Sequence, residues 1–108
     1  MLEIPLTREL GDVISAGMKI DEAASRLEAL GNPTRLKIYR MLVRAGDPGL
    51  PVGKLQSRLS IPASTLSHHL NTLRRAGLID SRKEERYVYY SVKPDTVSEL
   101  VRLLTACC

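Results

Sequence analysis

The sequence predicts a single domain that is mainly α-helical and carries a small β-hairpin. Glycines and prolines divide the 108 residues into short segments, and most of these segments repeat apolar residues with the period of one buried helix face. One segment near the C-terminal end instead alternates its side chains with the period of a strand and is rich in β-branched and aromatic residues. No apolar run approaches the ~20 residues that a membrane span needs. We therefore expect a single domain of ordinary length without a transmembrane helix.

Two helices are predicted before residue 31. Thr7 can cap a helix that runs to about Ala16, where Gly17 ends it. Asp21 opens a second helix, and Gly31 follows it at the position where a left-handed residue is expected. The apolar residues at helical spacing are Leu6, Leu10, Val13 and Ile14 in the first helix, and Ala24, Leu27 and Leu30 in the second.

A third helix is predicted from residue 33 to about residue 45. Asn32 is a strong N-cap, and Pro33 is tolerated in the first turn because its missing N–H would have no partner there. A run of glycine, aspartate and proline at residues 46–49 ends the helix. The residues expected on its buried face are Leu36, Tyr39, Leu42 and Val43.

Residues 52–76 have the pattern of a helix-turn-helix. A short helix over residues 52–59 is followed, after the break at residues 60–62, by a helix that Gly77 closes. Residues 78–92 then form the hairpin, with charged residues 82–85 expected at its tip. A last helix over residues 95–106 carries one apolar stripe, made of Val97, Leu100, Val101 and Leu104.

The second helix of the helix-turn-helix has two distinct faces. At ~100° per residue, Leu66, Leu70 and Leu73 fall within one narrow sector, which predicts the buried face. The opposite face can hydrogen-bond the edges of DNA bases, and the helix flanks and the hairpin can contact phosphates. The predicted DNA-binding residues are Ser64, Thr65, Ser67, His68, Asn71, Arg74 and Arg75 on the helix and Arg82, Lys83 and Arg86 on the hairpin. A merely solvated polar face is the alternative interpretation.

The charge distribution supports a polyanionic partner. Residues 54–93 carry eight basic and three acidic side chains, whereas residues 1–30 carry three basic and six acidic ones. A local excess of positive charge suits duplex DNA, because contacts to phosphates release condensed counterions. A solvated basic surface without a nucleic-acid partner would show the same excess.

The adjacent histidines do not predict a metal site. His68 and His69 point ~100° apart on a helix, whereas a helical zinc clamp needs histidines at positions i and i+4. His69 lies beside the leucine face, so we expect it to be a half-buried structural imidazole.

Three segments of the chain resemble the ArsR/SmtB type of winged helix-turn-helix repressor, and the resemblance covers roughly residues 20–106. These segments are residues 30–38 before and within the third helix, residues 64–70 in the recognition helix, and residues 76–79 between that helix and the wing. The resemblance implies a cytoplasmic homodimer that binds double-stranded operator DNA and leaves it when an inducer binds. It also implies that residues 1–19 and 95–106 supply the dimerisation helices.

The inducer site differs from the pattern best known in this type of repressor. Pro51 and Gly53 occupy the positions of the Cys-x-Cys thiols of arsenic sensors, and the last helix has no histidine for a zinc site. Cys107 and Cys108 remain, and they resemble the vicinal cysteine pair of some arsenic-responsive members. Thiolates select soft centres, so trivalent arsenic, a methylated trivalent arsenical or antimony is the expected inducer, and no resident cofactor is required.

Several alternatives stay open at this point. The terminal cysteines could respond to oxidation instead, or could be a tail without a ligand. A winged-helix module that binds proteins rather than DNA is the second alternative class. An enzyme is not expected, because the sequence has no phosphate-binding glycine loop, no nucleophile paired with a base and no cluster of carboxylates. The first residues, Met1 to Pro5, lack the positive charge of a secretory leader, which favours the cytoplasm.

Overall fold

The computed structural model describes residues 18–106, and in that range the chain forms five helices and a three-stranded sheet. The predicted helix over residues 7–16 and the pair Cys107 and Cys108 lie outside the described residues. None of the five helices is long and apolar enough to cross a bilayer. The elements in chain order are α1 (Ile20–Leu30), α2 (Pro33–Ala45), β1 (Leu50–Pro51), α3 (Val52–Leu59), α4 (Ala63–Arg75), β2 (Ile79–Glu84), β3 (Tyr87–Val92) and α5 (Pro94–Thr105).

The helix-turn-helix and the wing are confirmed as elements, with helix ends within about one residue of the expected positions. Asn32 caps α2 as expected, since its Oδ1 accepts a hydrogen bond from the Arg35 N–H at 3.0 Å. The prediction that residues 82–85 form the tip of the hairpin is wrong, because strand β2 runs to Glu84. The turn consists of Glu85 and Arg86. Glu85 takes a left-handed conformation at φ 57°, which allows so short a turn.

A third strand, β1, was not expected from the sequence. Its two residues pair with β3 in antiparallel register, Leu50 opposite Tyr90 and Pro51 opposite Tyr89, and the sheet order is β1-β3-β2. Two residues are too few to show an alternating pattern. Gly49 allows the close approach, because a Cβ at this residue would collide with the Tyr90 carbonyl.

The main core lies between α2, α3, α4 and the base of the wing. The three α4 leucines predicted to be buried, Leu66, Leu70 and Leu73, are at most 1% exposed. Residues from the neighbouring elements complete this core, among them Ile38, Leu42, Leu55, Leu78 and Ile79. A smaller cluster formed by Met18, Ala23 and Leu100 joins α5 to the start of α1.

The predicted buried face of α2 is partly wrong. Leu36 is 46% exposed and Val43 is 48% exposed, while Ile38 is fully buried beside Tyr39 and Leu42. Helix α2 contacts α1, α4 and β3. The buried sector is therefore set by these three neighbours and is rotated away from the apolar stripe that the spacing suggested.

The helices at the two ends of the described chain bury only part of the apolar stripes expected for them. Helix α1 buries Ala23 and Ala29, whose small side chains permit close packing, and leaves Ala24 and Leu27 exposed. In α5, Leu100 is buried, whereas Val101 is 51% exposed and Leu104 is 56% exposed. Both helices therefore keep large apolar side chains exposed within residues 18–106.

The prediction of a left-handed conformation at Gly31 is also wrong. Its φ is −80°, and its N–H donates to the Glu28 carbonyl. A side chain is still disfavoured here, because a Cβ would lie 3.3 Å from the Leu27 carbonyl oxygen. Glycine at this position permits the tight turn from α1 into α2.

Candidate nucleic-acid interface

Helix α4 presents a continuous polar surface to solvent. The burial of its leucines fixes the rotation of the helix, so the residues on the opposite side face outward. All seven α4 side chains predicted to contact DNA are exposed: Ser64, Thr65, Ser67, His68, Asn71, Arg74 and Arg75. No residue in the range 18–106 thus covers this surface of α4.

The turn before α4 fixes where the helix begins. Ser60 ends α3 in a left-handed conformation at φ 54°, and the Gln56 side-chain amide donates to the Ile61 carbonyl at 3.3 Å. Pro62 precedes α4 and has no side chain that could accept a hydrogen bond from the first turn. The first N–H groups of α4 therefore have no side-chain cap, which leaves them available to an anion.

Hydrogen bonds orient part of the polar surface. Arg74 donates from Nη2 to Asn71 Oδ1 at 3.2 Å, which leaves the Asn71 amide nitrogen as the outward donor. Thr72 donates its hydroxyl to the His68 carbonyl at 3.1 Å.

His68 and Arg75 lie at the edge of this surface, beside α1. Together with Ser25 and Glu28 of α1 and Arg35 of α2, they line an open cleft of about 450 Å³. These two α4 side chains therefore differ from Ser64 in having polar neighbours from other helices. Sequence spacing within α4 could not reveal those neighbours.

His69 is a structural residue, as expected. It is partly buried, and its Nδ1 lies 3.4 Å from Arg35 Nη1. Burial lowers the pKa of the imidazole, and the positive charge of Arg35 and the adjacent His68 lower it further. Arg35 also donates from Nε to the Ala29 carbonyl at 2.7 Å, so one guanidinium connects α1, α2 and α4.

The three predicted cations of the wing differ in the side chains that they contact. Arg82 pairs with Glu84 at 3.2 Å, and its guanidinium carbon lies 6.0 Å from the centre of the Tyr89 ring. Arg86 lies 6.0 Å from the Tyr87 ring centre at the turn. Lys83 is exposed between them. The charge of Arg82 is thus partly neutralised within the wing.

Two side chains from outside the helix-turn-helix hold the end of α4. Arg26 of α1 donates from Nε to the Ala76 carbonyl at 2.9 Å, and buried Thr96 of α5 donates to the Gly77 carbonyl at 2.7 Å. Gly77 has a φ of 79°, where a residue with a side chain is strained. Sequence reasoning missed Arg26 and Thr96, since Gly77 was the only local sign of this joint.

The described residues contain no metal centre. No three His, Cys, Asp or Glu side chains within residues 18–106 cluster closely enough to hold a metal ion. The predicted ligands Cys107 and Cys108 lie outside this range.

Comparison with known proteins gives the family. The profile of a family described as a helix-turn-helix domain matches residues 30–82. An uncharacterized HTH-type transcriptional regulator of Methanocaldococcus jannaschii is 38% identical over 86 residues, which cover 80% of this chain and 94% of that protein. The structure of an ArsR-like transcriptional regulator from Rhodococcus sp. RHA1 is 30% identical, has a TM-score of 0.69, and matches over 78% of this chain and 76% of its own. The chain belongs to the ArsR-like winged helix-turn-helix transcriptional regulators.

Another solved structure is similar over a slightly larger part of the chain. HlyU from Vibrio cholerae N16961 is 39% identical with a TM-score of 0.63, and the match covers 81% of this chain and 95% of HlyU. The similar proteins are transcriptional regulators rather than enzymes. For this ArsR-like regulator, α4 corresponds to the second helix of the helix-turn-helix, and β2 and β3 form the wing.

Proposed function

We propose that this ArsR-like regulator is a cytoplasmic homodimeric repressor that reads duplex operator DNA with α4 and the wing and leaves the DNA when a trivalent arsenical binds Cys107 and Cys108. One observation carries the DNA-binding part. The polar surface of α4 is exposed opposite a fully buried row of leucines. A helix held in this way can enter the major groove, and the helix before it can cross the backbone.

The residues of α4 divide into two roles. Ser64, His68 and Asn71 contact base edges, since hydroxyl, imidazole and amide groups can hydrogen-bond the major-groove pattern. Ser67 and Arg74 on the flank contact phosphates, and Thr65 is placed for either role. Arg75, at the end of the helix, completes the base-reading face, while Arg82, Lys83 and Arg86 of the wing contact the adjacent backbone.

The end helices supply an apolar surface for a second copy. Val101 and Leu104 of α5, with Ile20 and Leu27 of α1, are large apolar side chains exposed within the described chain. A two-fold dimer through these helices sets two α4 helices about 34 Å apart, in successive major grooves of an inverted repeat. Residues 1–19 are expected to contribute to the same interface.

The inducer proposal rests on the thiol chemistry of the C-terminal pair and on the connection from α5 to α4. Two thiolates satisfy two of the bonds that trivalent arsenic or antimony forms, and a methylated arsenical needs no third protein ligand. Thr96 of α5 is hydrogen-bonded to the Gly77 carbonyl at the end of α4, so a change in α5 reaches the DNA-reading helix. A 100-fold loss of operator affinity needs only about 2.7 kcal/mol of coupling.

Substitution of Asn71 tests the reading role of α4. We expect Asn71→Ala to weaken binding to a duplex selected from a random library by about 1–3 kcal/mol, with little change on random-sequence duplex, because base contacts carry sequence information. Fluorescence anisotropy measures both affinities, and Ser98→Ala on α5 is the control. Equal losses on the two duplexes would remove the reading role, and wild-type protein without salt-dependent binding to either duplex would favour a protein-interaction module.

Substitution of the cysteines tests the inducer part separately. We expect arsenite, antimonite or methylarsenite to release the wild-type regulator from the selected duplex in a gel-shift assay, and the double variant Cys107→Ser/Cys108→Ser to stay bound. Unchanged release from the double variant would remove the inducer proposal and leave DNA binding standing. Release by an oxidant, with no response to arsenicals, would assign the cysteines to thiol oxidation instead.

A further inference from the structure

A groove of about 640 Å³ between α2 and the end of α3 carries four cations. Lys37, Arg40 and Arg44 line it from α2, and Arg58 lines it from α3. All four side chains are exposed, and the apolar floor of the groove includes the half-exposed Leu36. This basic groove shares no residue with the predicted reading surface of α4 or with the wing.

The charge of the basic groove is not neutralised by any residue of the range 18–106. No carboxylate lines the groove, and none of the four cations forms an ion pair with another residue in the described part of the chain. Arg40 and Arg44 lie at positions i and i+4 of one helix, where like charges repel and lower helix stability slightly. A cluster of this kind attracts a polyanion and releases counterions when the polyanion binds.

The position of the basic groove favours duplex DNA as that polyanion. Arg58 lies at the end of α3, five residues before α4 begins at Ala63, and α3 is the helix that crosses the backbone in a helix-turn-helix. Lys37 and Arg44 lie seven residues apart on α2, which is about 10 Å along a helix. Measured along the duplex axis, one DNA strand presents about three phosphates over that length.

We propose that the basic groove binds the sugar–phosphate backbone of DNA that flanks the segment read by α4. The inference rests on the DNA binding proposed above and adds a second contact surface to it. The guanidinium and ammonium groups contact phosphates, and their methylene stems lie along the apolar floor. These contacts are independent of base sequence, so they raise affinity for all duplexes alike.

The test compares two double variants that remove the same charge. Arg40→Gln/Arg44→Gln changes the basic groove, and Lys93→Gln/Arg102→Gln removes two exposed cations from the start and the body of α5. Anisotropy titrations with a random-sequence duplex of about 40 base pairs, between about 50 and 200 mM salt, give the slope of log affinity against log salt concentration. Sedimentation serves to check that both variants keep the wild-type assembly state, and urea titration serves to check that both are folded.

We expect each phosphate that the protein no longer neutralises to flatten the slope by about 0.9, so the loss of two cations should flatten it by about 2 per protomer. The control variant should change the slope much less. Equal slopes for the two variants would overturn the proposal, while salt-dependent binding by the wild type would leave the proposed function intact. Wild-type protein that does not bind the duplex would instead remove the proposed function.

An acidic protein segment is the competing occupant of the basic groove. A labelled peptide of residues 1–17 serves as the probe, because it combines three acidic side chains with one basic one and several apolar residues. If the groove variant matched the control on DNA but no longer bound this peptide, the DNA assignment would be overturned in favour of protein docking.

Discussion

At the scale of single residues, Arg35 determines how α4 is supported from behind. Its guanidinium donates to the end of α1 at Ala29, its backbone N–H is capped by Asn32, and its Nη1 approaches His69 on α4. A cation next to an imidazole favours the neutral ring. The back of the recognition helix is therefore held by a contact that depends on the protonation of His69.

The lowered pKa of His69 predicts a pH dependence of stability. Its ordinary value is 6.5, so as the pH falls below 6.5 the unfolded chain takes up a proton before the folded chain does. The stabilising contribution is present above pH 6.5 and is lost as the pH falls through the lowered pKa of the folded state. We expect urea titrations to show a decline in the free energy of unfolding over this window.

The variant His69→Gln should reduce that decline, because glutamine can still accept a hydrogen bond from Arg35 but does not titrate. The relevant quantity is the difference between wild type and variant at each pH, since carboxylates also titrate at the acidic end. Parallel pH profiles for the two proteins would show that His69 does not couple folding to pH.

At the scale of elements, the joint between α4 and β2 positions the reading helix relative to the wing. The carbonyls of Ala76 and Gly77 accept hydrogen bonds from Arg26 of α1 and Thr96 of α5. The left-handed conformation of Gly77 directs the chain from the helix into the strand. The joint thus connects the DNA-reading elements to both end helices.

Replacement of Gly77 should destabilise the protein. In Gly77→Ala the new Cβ would lie 3.1 Å from Arg26 Nη2, on a backbone whose φ of 79° disfavours any side chain. We expect a loss of about 1–3 kcal/mol in the free energy of unfolding, measured by urea titration. Gly53→Ala is the control, because this residue lies in α3 with no atom within 4 Å of the added Cβ. It should gain about 0.5–1 kcal/mol, and a loss in both variants would contradict the backbone explanation.

The ion pair in the wing should weaken DNA binding rather than stabilise the fold. Arg82 and Glu84 are 45% and 58% exposed, and exposed pairs contribute about 0–1 kcal/mol to stability. We expect Glu84→Gln to free Arg82 for phosphates and to steepen the salt dependence of binding to random-sequence DNA. Glu85→Gln makes the same charge change one residue away, so an equal effect of both variants would show that only net charge matters.

At the scale of the whole molecule, the two clusters of apolar residues differ in how well they are covered. The main core is enclosed by α2, α3, α4 and the sheet, whereas the cluster of Met18, Ala23 and Leu100 lies under helices that still expose apolar side chains. A patch of this kind at the surface of a small domain is typical of an interface. This arrangement supports the proposed dimer through the end helices.

A charge placed in this patch should dissociate the dimer. We expect Leu104→Glu to raise the dimer dissociation constant at least tenfold, or about 1.4 kcal/mol, because a buried unpaired carboxylate is costly. Sedimentation equilibrium measures the constant. Val43→Glu is the control, since Val43 is comparably exposed but lies on α2, and dissociation by both variants, or by neither, would place the interface elsewhere.

Much of the candidate interface was predictable because it depends on patterns within one helix. The spacing of Leu66, Leu70 and Leu73 predicted which side of α4 is buried, and so which polar residues are exposed. The half-burial of His69 followed from the same spacing. The neighbours of His68 and Arg75 in the cleft and the hydrogen bond from Thr96 to Gly77 were not predictable. Each of these depends on side chains that are brought together from different parts of the fold.

The sequence by itself determined where the described helices begin and end, that a helix-turn-helix is followed by a wing, and which face of α4 is open. Those features follow from caps, breakers and periodicity, whose free energies act within a few residues. Only the tertiary structure decided which faces of α1, α2 and α5 are buried, that β1 joins the sheet, and that cations of α2 and α3 form one basic groove. The physical reason is that a helix buries whichever sector its neighbours cover, and those neighbours are fixed only when all the elements pack together.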